Sequence, residues 1–136
     1  MNMRAGFLMA LAATLIGTSA DAHHSYAAFD RTKTITLQGS VRTWELGNPH
    51  AYLWLYVANK KGTQDIWGME APSPTVLIAR GLTKNAVKVG DKVTVVLNPL
   101  RDGRNGGNMV SLTLADGTVL DTTPNDRPKN AAQTTK

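Results

Sequence analysis

The chain has 136 residues, 42% of them hydrophobic, no cysteine and a formal charge of +5. That length gives one domain with a single core large enough to fold without disulfides, so packing, alone or with a ligand, must hold it. The 15 Lys and Arg are scattered rather than run together, which favours solubility and argues against a nucleic-acid groove.

Residues 1–22 read as a secretory signal peptide. Arg4 supplies the positive start, Ala5 to Ile16 run apolar without a charge, and Ala20 and Ala22 place small residues before a cut. The run is too short for a spanning helix, which needs about 20 apolar residues. Cleavage after Ala22, with Ala20 as the alternative, makes the expected product a periplasmic chain with no membrane span. Arg4 and Asp21 depart together under the first cut, so the mature charge is unchanged.

Residues 23–32 form an N-terminal leader, and a barrel is expected over 33–121. From Thr34 to Leu46, Ile35, Leu37, Gly39 and Val41 alternate with polar residues, and the apolar phase then slips to Trp44 and Leu46. A glycine followed by a change of face predicts a bend or bulge, where one strand serves two sides of a barrel. Gly47-Asn48-Pro49 turns the chain into a second strand with Ala51, Leu53, Leu55 and Val57 on one face. His50, Tyr52, Trp54 and Tyr56 occupy the other.

Asn59 to Thr63 is a polar hairpin loop, and a third strand starts at Gln64 and contains Trp67 and Met69. Ser73 at the N-cap, Pro74 at the first turn and Gly81 at the end predict one short helix. A fourth strand follows Val89-Gly90-Asp91. Arg101 to Gly107 is a glycine-rich loop into the fifth, and Asp116-Gly117 starts a last tight hairpin. This β-β-β-α-β-β order is that of the OB-fold, a five-stranded Greek-key barrel; a sandwich would need more strands. Residues 122–136 hold no Val, Ile, Leu, Met, Phe, Tyr or Trp and are expected to be a disordered tail.

All three histidines fall at two places, His23 and His24 at the expected new terminus and His50 at the start of the second strand. A cut after Ala22 gives His23 a free amine beside its imidazole, a chelate that suits Cu(II) and that His50 could complete, with Glu70 as an oxygen ligand. That arrangement resembles the histidine brace of copper monooxygenases and some exported copper carriers. A cut after Ala20 leaves Asp-Ala-His, which resembles the copper and nickel motif of serum albumin. Against both stands the ordinary reading of a fraying leader, docked by Tyr26 and Phe29, whose histidines meet water.

Tyr52, Trp54 and Tyr56 stand in a row on the face where OB-folds bind ligands, with Trp67 on the neighbouring strand. The competing expectation is that Tyr26 to Phe29 lie across this row and bury it. Arg101 and Arg104, among three glycines, offer an anion site or a solvated hairpin. No cysteine nucleophile, Gly-x-Ser-x-Gly, His-Glu-x-x-His or phosphate loop is present.

HHSYAAFD, NPH, WGME followed by Ser73-Pro74, PLRDG and the final Asp-Gly together resemble a family of small exported bacterial proteins of unknown function, over about His23 to Leu120. The resemblance implies a periplasmic OB-like domain and singles out His23, His24, His50, Trp67 and Glu70 without giving them roles. The leading expectation is a non-enzymatic binding module for a metal ion, copper foremost, or a small ligand. An envelope-protein adaptor using the aromatic face and a copper oxidase are the alternatives.

Overall fold

Residues 24–123 are described by the structure, a computed structural model, with side chains from Tyr26 onward. The expected signal peptide, His23 and residues 124–136 of the expected tail lie outside the described residues. The elements run α1 (His24–Ala27), β1 (Ile35–Glu45), β2 (Ala51–Ala58), β3 (Gln64–Ala71), α2 (Pro74–Ala79), β4 (Lys92–Pro99), β5 (Gly106–Thr113) and β6 (Val119–Asp121).

The sheet order is β3-β2-β1-β4-β5-β6, and β3 also pairs with β5 in parallel, closing strands one to five into an OB-fold-like barrel. Closure requires β1 to serve two partners. Its first half pairs with β4 from Ile35 to Ser40, and its second half pairs with β2 from Ser40 to Glu45. The change of face anticipated after Val41 is a register shift between Val41 and Thr43, the extra residue that a bulge inserts. Gly39 is needed for closeness rather than for an unusual φ: a Cβ there would stand 2.6 Å from the Tyr56 carbonyl oxygen.

Alternation then sorts the side chains. Val41, Leu53, Leu55, Met69, Val95, Leu97, Met109 and Leu112 point inward and are almost wholly buried. Leu77 of α2 joins them, as do Leu82 and Val87 from the segment after it, so this stretch covers the interior. Ser73 occupies the N-cap position of α2, but its side chain makes no capping hydrogen bond. Gly81 ends the helix at φ 89°.

The leader is docked through Phe29, which is buried and forms a bridge with Leu100. The Asp30 amide donates to the Pro99 carbonyl at 2.8 Å, and the Arg101 amide donates to that of Ala28 at 2.9 Å. Tyr26 takes no comparable part; it is exposed, with the Arg31 guanidinium over its ring. At the other end, the ordered chain continues beyond the expected start of the tail. Thr122 is fully buried, its hydroxyl donating to the Met109 carbonyl at 2.7 Å and its amide to that of Val110. Thr122 lacks an apolar side chain and so reads as tail; its hydroxyl and its own amide are what hold it.

Candidate site at the start of the second strand

His50 precedes β2 directly, after a cis Asn48–Pro49 bond, and lies on the outer side because Ala51 points inward. Glu70 lies on the same outer face, opposite Tyr52 in the β2–β3 register. The outcome is a three-residue relay. His50 Nδ1 donates to Glu70 Oε1 at 2.7 Å, and the Tyr52 hydroxyl donates to Glu70 Oε2 at 3.2 Å.

The relay fixes the imidazole. With its Nδ1–H committed to a carboxylate, a neutral His50 presents the Nε2 lone pair outward, and about a third of the side chain is exposed. Glu70, expected as a metal ligand, has both oxygens engaged by side chains of its own strand pair. A carboxylate hydrogen-bonded to Nδ1 holds the imidazole in one orientation. Tyr52 responds to the same arrangement: burial first, then the Glu70 charge and their hydrogen bond, raise its phenol above the ordinary value.

The aromatic row behaves differently along its length. Tyr52 and Trp54 stack, with ring centroids 6.5 Å apart, and Trp54 lies flat on Gly68, where a Cβ would stand 2.5 Å from the ring. Tyr56 remains exposed beside Ile66, its register partner, with the Arg42 guanidinium 6.0 Å from its ring centroid. The row is thus covered from within at one end and open at the other, while the leader's described backbone bonds run to the β4–β5 loop.

Trp67, expected beside this row, faces the other way. It is paired with buried Leu55 and packs against the core, because period-2 alternation in β3 puts it in phase with Met69 and Ala71. Arg101 and Arg104 sit in the β4–β5 loop with local partners. Arg101 Nε donates to the Ala27 carbonyl at 3.2 Å, and Arg104 Nε donates to Asp102 Oδ2 at 2.7 Å. The first tethers the leader and the second braces the loop.

The docked part of the leader, at Phe29, lies beside the end of β4 rather than beside the histidine's own strand. Phe29 pairs with Leu100, Pro99 with Gly107, and Asn108 with Glu70. These are three ladder steps of about 4.8 Å each before the histidine's own strand is reached. Among the described residues no three His, Asp or Glu converge as a metal-holding group.

Tyr52 was legible as an aromatic on the ligand face, but not as the partner of Glu70; that needed the register. Asn98 gave no signal at all. It is 1% exposed, its Nδ2 donates to the Lys33 carbonyl at 2.7 Å, and its Oδ1 has no hydrogen-bond partner among the described residues.

A family described as a family of unknown function (DUF6152) matches residues 11–109, a span that includes the leader, the whole relay and the start of β5. No curated protein and no solved structure matches.

Proposed function

This chain belongs to that family of unknown function, and we propose that it is an exported, non-enzymatic binding module of the periplasm whose polar anchor is His50. The observation that carries the reading is the 2.7 Å bond from His50 Nδ1 to Glu70, itself held by Tyr52. A carboxylate spent on orienting one imidazole makes sense where the other ring nitrogen has a guest to meet.

In the finer reading the guest is a divalent transition metal, with Cu(II) first because imidazole and amine nitrogens suit it. His50 Nε2 is the barrel's donor; His23 and His24 are the donors of the mature terminus. Glu70 orients rather than ligates. Isothermal titration of correctly processed protein with Cu(II) tests this. Glu70→Gln is expected to weaken binding by about 10–100-fold, and His50→Ala to abolish the barrel-assisted site. Binding unchanged by His50→Ala would leave a chelate made by the terminus alone. Affinity is also expected to fall in acid, since protons compete with metal for imidazole.

A second reading, an adaptor for an envelope protein, draws on Ile66 and Tyr56, which are exposed side by side on the outer face. Ile66→Ser would then weaken the association while leaving Cu(II) titration intact. Copper-dependent oxidation is the reading least supported, and reduced, copper-loaded protein that consumed oxygen would restore it.

A further inference from the structure

At the opposite end of β2 from His50, a cleft of about 480 Å³ crosses the outer wall. That volume lies within the roughly 300–1,000 Å³ of small-ligand sites. Its sides are two hairpins: Ala58 and Gln64 bound the β2–β3 turn, and Leu114 and Ala115 bound the β5–β6 turn. Its floor is the bent part of β1 with β4. Gln38 pairs with Thr94 and Thr94 with Thr113, while Ser40 stands between Tyr56 on one side and Lys92 on the other.

The chemistry of this lining is narrow. It offers amides and hydroxyls in adjacent ladder positions, one exposed aromatic ring and one ammonium, with no carboxylate among the residues that line it. Arg42 adds a second cation at the Tyr56 ring, and Lys60 and Lys61 lie in the turn between Ala58 and Gln64. The acidic residues of the adjoining strands and turns do not line the cleft. Asp65 accepts from Asn59 Nδ2, Asp116 from the Thr118 amide, and Asp91 from the Lys88 amide.

The floor offers a peptide no strand edge to pair with, because β1 is already paired on both sides at Ser40. The surface instead matches a ligand that is flat on one face and hydroxylated at its edges. We propose that this cleft binds a short anionic oligosaccharide, with Tyr56 as the platform for a sugar ring, Gln38, Ser40 and Thr94 as hydroxyl partners, and Lys92 opposite the ligand's carboxylate. The site is independent of the His50 relay, which lies at the other end of the same strand.

Titration of the mature protein with tetragalacturonate, and with maltotetraose as its uncharged counterpart, tests the assignment. The charged sugar is expected to bind, the neutral one roughly tenfold or more weaker, and raised salt to narrow the gap. Tyr56→Ala and Lys92→Gln should each weaken the charged sugar. Thr94→Trp, which fills the floor, should abolish binding; circular dichroism checks that each variant is folded. His50→Ala should change nothing here, separating this site from the metal reading. No binding of tetragalacturonate, or binding unaffected by both Tyr56→Ala and Thr94→Trp, overturns the proposal. So does an oligothymidylate of similar length that binds as well, since the cleft would then be recognising negative charge alone.

Discussion

Glu70 shows how one side chain can take a role that its neighbours in sequence do not announce. Its carboxylate receives a proton donor on each oxygen, and the two donors come from positions two apart on a neighbouring strand. The phenol of Tyr52 carries a readable trace of this: burial and the Glu70 charge keep it protonated to higher pH than an ordinary tyrosine. In a spectrophotometric titration at alkaline pH, a late component should therefore disappear in Tyr52→Phe. It should move to lower pH in Glu70→Gln, which removes the charge and leaves the burial. A Tyr52 titration identical with and without the Glu70 carboxylate would mean the hydrogen bond does not form in solution. A fixed tautomer of His50 is the functional stake, since Nε2 keeps its lone pair while Nδ1 donates to Glu70.

β1 is the element on which the architecture turns. A strand of 11 residues that pairs with β4 along one half and β2 along the other must bend, and Gly39 with the bulge after Val41 supplies the bend. Because the space at Gly39 is filled by the backbone oxygen of Tyr56 and by Val57, a side chain cannot be relieved by a rotamer change. Gly39→Val is expected to cost about 1–3 kcal/mol, the usual range for overpacking. The urea midpoint would fall while the slope stays constant. A variant as stable as the parent would show that β2 can retreat from β1 without loss. The leader makes the contrasting case: its hold rests on Phe29, two backbone bonds and Arg101, and it has no strand of its own.

For the folded chain in full, acid is the condition to which its electrostatics point. Asp30 is held at about 2 by the Thr32 hydroxyl, the Lys33 ammonium and the Thr32 amide. Asp102 is lowered by the Arg104 amide and guanidinium, and Asp116 by the amide and hydroxyl of Thr118. A carboxyl whose folded pKa lies below its unfolded one stabilises the fold above the unfolded value. That contribution is lost as pH falls through the folded value. Thermal stability is therefore expected to decline from about pH 4 toward pH 2, and Asp30→Asn should flatten part of the decline. Asp102 and Asp116 are exposed and Asp30 is half-buried, so salt should shrink the effect, least at Asp30. A stability profile level across that window, or one unaltered by Asp30→Asn, would contradict it.

Much of the barrel was legible because it rests on local periodicities. Alternation marked the inward residues of β2, the slip of phase located the bulge in β1, and Pro74 with Gly81 framed α2, since each of these depends on neighbours only a few residues away. The unexpected positions are those decided by a partner far along the chain. Thr122 is ordered by carbonyls of β5, and the cleft beside Tyr56 exists because β1, β4 and β5 align polar residues that read, strand by strand, as solvated. The sequence by itself determined that residues alternate between the inner and outer faces, through the two-residue repeat of a strand. Only the tertiary structure decided which outward residues meet, because register is set by closure of the barrel, an interaction between segments that are remote in sequence.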